Sequence, residues 1–344
     1  MKVIFFTPRP FSLAFGGTEV QLLETKLALE QFGLSIEFAD YFNRDQITNN
    51  SIVHLFGSDY VFAQIAKLLR GKGVPYVVSS IFYPIGLSRL LYRLSAFLPY
   101  SVSGLRKSVL SSASKVLPNS KSEQVLLRRL FNLPDSSMRV IPNAVRDDFL
   151  GQDPDGFRRK YLPELAKEER FILCVGRIEK RKNSLNLLRA AAKHKLPLVF
   201  IGAPVSLPEE EKYFERFRVE LERYPGYAKH IPFLPNGSSD LADAYAAAHV
   251  HALVSWMETP GLANLEAGIN GANLVVGISP PVQEYLRGFA TFVEQDNITQ
   301  ISSALELALT QKRDMHGQSN YIRENYSWKR VAQLLVAVYK EVMM

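Results

Sequence analysis

Cysteine is almost absent from this 344-residue chain. The single one, Cys174, lies inside the apolar run Phe171-Ile172-Leu173-Cys174-Val175, so no intramolecular disulfide can form and a reducing compartment is favoured. A thiol in such a run reads as core packing. Long apolar runs are missing too: none approaches the ~18 residues that a membrane span needs. The apolar start Met1–Phe6 meets Thr7-Pro8-Arg9-Pro10 too soon for a signal peptide. There is no His-Glu-x-x-His pattern and no cysteine–histidine set with zinc spacing, so no metal site is expected. At 47% hydrophobic and 22% charged residues, the composition is neither collagen-like nor disordered. The chain is expected to be cytoplasmic, touching the cytoplasmic membrane face peripherally at most.

Acidic side chains are absent from one long stretch. Residues 60–122 carry nine Lys and Arg and no Asp or Glu. Over residues 1–150 there are 17 Lys+Arg against 11 Asp+Glu, leaving 24 against 23 for the rest, so nearly all of the net charge of +7 belongs to the first half. Such a stretch points to a polyanion or an anionic surface. Within it, residues 86–110 mix Leu, Phe and Tyr with Arg and Lys, the composition of an interfacial segment on anionic lipid. A surface helix with one buried face has nearly the same pattern. Nucleic acid is not the expected partner, because no recognised binding module accompanies the charge.

The length suits two domains. Apolar β-rich runs alternate with amphipathic helical patterns throughout, the signature of parallel sheets built from βαβ units. The first series of strands is expected at Lys2–Thr7, Ser35–Tyr41, Ser51–Phe56, Pro75–Ser80, Lys115–Pro118 and Met138–Ile141. A helix is expected over Thr18–Phe32, with Gly33 ending it. After the charged, Pro-containing segment Gln152–Arg170 a second series follows: Phe171–Gly176, Leu198–Gly202, His230–Leu234, His251–Ser255 and Asn273–Gly277. The expected architecture is therefore α/β, with two Rossmann-like doubly wound domains facing a cleft. Residues 1–150 form the first and 151–327 the second, and a C-terminal helix near 328–344 returns to the first.

Three segments suit chemistry. Gly176-Arg177-Ile178-Glu179-Lys180-Arg181-Lys182-Asn183 follows a strand and precedes the helix expected at Ser184–Lys193. Five of its eight residues are charged, four of them positively, which suits an anion site at a helix N-terminus, or equally a solvated basic turn. Ser255 to Glu266 places Glu258 at a strand end, Pro260 and Gly261 at a helix start and Glu266 two turns further on. Its carboxylates suit vicinal hydroxyls and its backbone N–H groups suit phosphate, although glutamates eight apart on an exposed helix are common. Gly16-Gly17-Thr18-Glu19, between the first strand and first helix, can let a phosphate approach the backbone or can simply turn tightly. His54 either lines an acceptor site or is packed. His249 and His251 flank a strand start.

Taken together and in this order, Gly16-Gly17-Thr18-Glu19, Val116-Leu117-Pro118-Asn119-Ser120, Val140-Ile141-Pro142-Asn143-Ala144-Val145, Val175-Gly176-Arg177 with Lys182-Asn183, and Glu258 to Glu266 resemble the motifs of the retaining glycosyltransferase family 4, which has the GT-B fold and a Glu-x7-Glu motif. The resemblance implies transfer of a sugar, a hexose by family frequency, from a nucleoside-diphosphate sugar to a hydroxyl of a glycan- or lipid-linked acceptor. UDP is preferred over GDP, and no metal or other cofactor is implied. By the same resemblance Arg177, Lys182 and Glu258 are the catalytic positions. Arg177 and Lys182 would bind the diphosphate, and Glu258 with Thr259, Pro260, Gly261 and Leu262 would hold sugar hydroxyls and phosphates. Glu266 would grip the ribose, Gly16 and Gly17 would approach the distal phosphate, and the backbone near Leu234 would meet the base; Gly176 makes the turn before Arg177. Thr259-Pro260 replaces the family's usual Gly-Phe. The histidine that many relatives carry after the strand Pro75–Ser80 is absent, leaving Ser80 or Tyr83 for its place. A nucleotide-sugar epimerase of the same fold and a non-catalytic membrane-associated subunit are the alternatives.

Overall fold

The computed structural model describes residues 1–344 apart from Leu13, Ala14, Phe15, Ile85, Leu87, Lys167 and Pro260. The chain divides into two compact units, Met1–Ala144 with Trp328–Met344, and Val145–Ser327.

In the first unit the apolar runs form β1 (Lys2–Phe6), β2 (Ser35–Phe38), β3 (Ser51–Phe56), β4 (Tyr76–Ser79) and β5 (Lys115–Leu117). Among the described residues they make one sheet in the order β2-β1-β3-β4-β5, with every pair parallel. All six residues of β3 are buried, as a central strand covered on both faces requires. The helix Gly17–Gln31 follows β1. The final helix, Trp328–Met343, joins the same core: Trp328, Val331, Leu335 and Tyr339 pack with Val3, Leu22, Leu29 and Phe56. The strand expected at Met138–Ile141 does not form. Met138 makes one isolated bridge to Val116, with Arg139 N–H donating to Val116 O (2.9 Å) and Ile141 N–H to Pro118 O (2.9 Å). Pro118 and Pro142 have no N–H, so the ladder stops there.

In the second unit β6 (Ile172–Val175), β7 (Leu198–Ile201), β8 (Ala228–Ile231), β9 (Val250–Leu253), β10 (Asn273–Gly277) and β11 (Ala290–Val293) build a parallel sheet in the order β11-β10-β9-β6-β7-β8. β8 starts earlier than its apolar pattern suggests and ends at Ile231, because Pro232 cannot continue the ladder. β11 was not expected: it is a four-residue edge strand with only Val293 fully buried, so its apolar signal is faint. Cys174 is buried in the core, where burial pushes its thiol up to about 12. Among the described residues no helix is long and apolar enough to cross a membrane.

Candidate functional site

The second sheet reverses its strand order between β6 and β9, which are neighbours with Ile172 opposite Val250. Connections on either side of such a point leave in opposite directions and open a crevice beyond the strands' carboxyl ends. The segments that follow β6 and β9 are the two with charged motifs, and they touch.

After β6 the chain passes Gly176 and exposed Arg177, makes a short 3-10 turn at Lys180–Lys182 and enters the helix Ser184–Ala192. Asn183 stands at the junction in the left-handed region (φ +60°). Its buried Nδ2 donates to Val254 O (3.1 Å) and Gln295 O (2.7 Å), tying the turn to the ends of β9 and β11. Asparagine suits this because it tolerates the conformation and carries the donors. Trp256 N–H donates to Arg181 O (2.9 Å), joining the two loops again.

Lys182 Nζ donates to Glu258 Oε1 at 2.6 Å. Arg181 reaches the same oxygen at 3.3 Å and Met257 O at 3.1 Å. Arg181 also pairs with Glu179 (2.7 Å), and Arg177 pairs with Glu179 at 3.4 Å. Three cations and two buried carboxylates thus form one chain. Burial raises the pKa of the Glu258 carboxyl, but Lys182 and Arg181 more than offset this, and the pKa ends below the ordinary carboxylate value. Glu258 remains an anion and holds Lys182 in place.

Glu258 does not end a strand, as its apolar flank suggested. β9 closes at Leu253, and Glu258 lies in the loop before the helix Leu262–Ile269. That helix is entered through Gly261 at φ +86°, where an added Cβ would also stand 3.1 Å from Asn264 Nδ2 and 3.3 Å from Glu258 Oε2. Only glycine takes this conformation without strain. Thr259 is half-buried beside it, Leu262 opens the helix, and Pro260 lies outside the described residues. Glu266 is on the helix, and its Oε2 accepts from the Tyr245 hydroxyl at 2.7 Å. Burial and Glu266 both push Tyr245 well above its usual pKa, so it stays a donor. The two glutamates therefore do not share a helix face; each is oriented by its own partner. Leu234 is buried three residues past β8.

Gly16 and Gly17 belong to the first unit. Gly16 precedes the helix Gly17–Gln31 and accepts from Val20 N–H at 3.0 Å, while Phe15 lies outside the described residues. Ser80 and Tyr83, the two residues weighed for the missing histidine, are both anchored. Ser80 Oγ donates to buried Glu123 at 2.6 Å, alongside Phe82 N–H at 2.8 Å, and the Arg89 guanidinium lies 5.3 Å over the Tyr83 ring. His54 is packed: its ring is fully buried between Tyr339 Oη (2.7 Å) and Ser79 Oγ (2.9 Å). Among the described residues no group of three His, Cys, Asp or Glu is placed to hold a metal ion.

Arg181, Glu179 and Tyr245 were not singled out by sequence. Arg181 and Glu179 were two charges among five, and nothing in the segment Ser239–Ala247 marks Tyr245 as the partner of a glutamate 21 residues on.

Burial pushes the imidazoles of His54 and His251 down to about 3, the second aided by Lys182. Each stays neutral in its folded unit while the unfolded chain takes up protons below about pH 6.5. Stability contributed this way is full above that pH and is lost progressively as pH falls toward 3. Between about pH 7.5 and about pH 5 each of these two histidines should cost its unit about 2 kcal/mol. Calorimetric melting at the two pH values measures it, and His54→Gln should flatten the dependence for the first unit. An unchanged melting temperature in the wild type would contradict the neutral buried pair.

Residues 158–325 match the family model described as Glycosyl transferases group 1, just under half of the chain and most of the second unit. Over 95 residues the chain is 36% identical to the N-acetylgalactosamine-N,N'-diacetylbacillosaminyl-diphospho-undecaprenol 4-alpha-N-acetylgalactosaminyltransferase of Campylobacter jejuni, covering 27% of this chain and 24% of that enzyme. It spans about half the length of most other curated relatives it matches. Among solved structures, sucrose-phosphate synthase from Thermosynechococcus elongatus superposes with a TM-score of 0.79 at 15% identity, covering 99% of this chain and 98% of that one. Anabaena HepE in complex with UDP gives 0.77 at 16% identity, covering 99% and 100%. The second unit thus matches the glycosyl transferases group 1 model over most of its length, and the chain as a whole shares its two-domain α/β fold with these two proteins.

Proposed function

We propose that this protein is a retaining glycosyltransferase of family 4 that moves a hexose from a UDP-sugar to an acceptor hydroxyl, working peripherally at the cytoplasmic membrane face. The observation that carries the reading is the cation–carboxylate chain of Arg177, Arg181, Lys182, Glu179 and Glu258 at the strand-order reversal of a group 1 domain. UDP is preferred because the similarly folded HepE was solved with UDP and with UDP-glucose. A lipid-linked acceptor is preferred because the Campylobacter relative, by its name, acts on a diphospho-undecaprenol-linked sugar.

In this reaction the bond from the anomeric carbon to the diphosphate oxygen breaks, and a bond from the acceptor oxygen forms on the same face. The acceptor's proton goes to a leaving phosphate oxygen. Negative charge grows on the diphosphate as the bond breaks. Lys182, held by Glu258 before substrate arrives, neutralises it without reorganising, and Arg177, at the exposed end of the same chain of charges, adds to this. Glu258, kept ionised by its partners, accepts hydrogen bonds from the sugar. Glu266, aimed by Tyr245, accepts from the ribose, and Gly261 lets the backbone N–H groups at the helix start approach phosphate.

Thermal-shift measurements with UDP, GDP, ADP and their sugars test the donor. A nucleotide at about a hundred times its dissociation constant should stabilise by ~2.7 kcal/mol, with the uridine series shifting most. No shift with any of them would remove the donor assignment. Incubation with UDP-sugar alone should yield at most slow hydrolysis, and conversion to an epimer would replace transfer with epimerisation.

A further inference from the structure

The helix Ser88–Ser95 in the first unit has no buried residue. It is held by Tyr92, whose ring meets Phe82 edge-on with centroids 5.0 Å apart, while Leu90, Leu91 and Leu94 face solvent. The turn that follows continues the pattern: Phe97 is 76% exposed, Leu98 61% and Tyr100 91%. A surface helix normally turns such side chains inward. Here they form a run of outward-facing leucines and aromatics of the kind that marks an interaction site.

The turn is also firmly built. Ser101 Oγ bonds Ser95 O (2.6 Å) and accepts from Gly104 N–H (2.9 Å), and Ser95 bonds Ser103 (2.8 Å). Gly104 is packed so closely that an added Cβ would stand 1.9 Å from Leu98 O. The apolar groups are therefore held outward by hydrogen bonds and close packing.

Charge selects the occupant. Exposed Arg93 sits among the leucines, and Lys107 Nζ lies 5.4 Å over the Phe97 ring. No acidic side chain occurs between residues 60 and 122 to oppose them. A nucleic acid would satisfy the cations and leave Leu91, Leu94 and Phe97 in water. An anionic bilayer takes both, with leucine and phenylalanine below the headgroups, tyrosine at their level and the cations against lipid phosphates.

We propose that the segment Leu90–Tyr100 is a membrane-docking surface that inserts into the headgroup boundary of an anionic bilayer. This deepens the membrane part of the proposed function and is independent of its transfer chemistry, since docking needs neither nucleotide nor turnover. The test is co-sedimentation of the whole protein with phosphatidylglycerol-containing vesicles and with phosphatidylcholine vesicles. Binding should be at least about tenfold tighter to the anionic vesicles and should weaken with salt. The variant Leu91→Ser/Leu94→Ser/Phe97→Ser should lose about a hundredfold or more with an unchanged melting temperature, because it alters only exposed side chains. Arg93→Glu/Lys107→Glu should lose the preference for anionic lipid. Equal binding of the triple serine variant, or no wild-type binding to either vesicle, overturns the proposal. So does a wild-type dimer in vesicle-free sedimentation velocity that the triple variant abolishes, because a second copy would then cover the face. Nucleotide-induced thermal shifts measured alongside report on the donor site separately.

Discussion

Lys182→Ala should lower turnover at least about a hundredfold, the scale of losing one well-placed donor to a charge that develops in the transition state. Lys182 is the most buried of the three cations, with its ammonium 2.6 Å from Glu258, so its removal has two consequences. The leaving diphosphate loses a fixed positive partner, and the buried Glu258 keeps, among the described residues, only Arg181 as an ion-pair partner, at 3.3 Å. Uncompensated burial of a carboxylate is costly, so the variant should also lose up to about 3 kcal/mol of stability. Arg177→Ala separates the two effects. Its side chain is 44% exposed and its ion pair with Glu179 is long, at 3.4 Å, so stability should change by less than about 1 kcal/mol while turnover falls on the same scale as for Lys182. Steady-state rates and calorimetric melting on both variants decide the matter. Wild-type rates in either would take the diphosphate role away from this cluster.

Glu266→Ala should weaken nucleotide affinity by roughly ten- to a hundredfold, since hydrogen bonds to a charged group are worth about 1.5–3 kcal/mol and each 1.4 kcal/mol is tenfold. The Tyr245 hydroxyl that now donates to Glu266 at 2.7 Å would be left buried without this acceptor, adding a stability loss. Tyr245→Phe keeps the carboxylate and removes its guide, so its effect on affinity should be smaller than that of Glu266→Ala. Titration calorimetry with the nucleotide measures both. Unchanged affinity in Glu266→Ala would exclude the carboxylate from the ribose.

How much of this was legible in the sequence depends on the range of the interaction. The apolar runs at β1, β3, β6 and β10 stand out because a strand buried on both faces is nearly continuous in apolar residues, and that is a local property. β11 was missed for the opposite reason: its Ala290-Thr291-Phe292-Val293 is half-exposed at an edge and carries little pattern. Met138–Ile141 looked like a strand and makes only one bridge, because prolines at 118 and 142 remove the donors a ladder needs. In the candidate site, charge density marked the segment Gly176–Asn183, but could not say which of its cations would meet Glu258.

The order of apolar runs and helical patterns along the chain determined by itself that the fold is two parallel α/β sheets, since alternating βαβ units admit few other arrangements. Tertiary structure alone decided that Lys182 and Glu258, 76 residues apart, share a hydrogen bond, and that the Tyr245 hydroxyl donates to Glu266. The first pairing arises because β9 inserts beside β6 instead of following β8 in the sheet, and the second because the helices on either side of β9 pack together. Strand order is set by which apolar faces pack best across the whole domain, a sum over distant contacts that no local segment encodes.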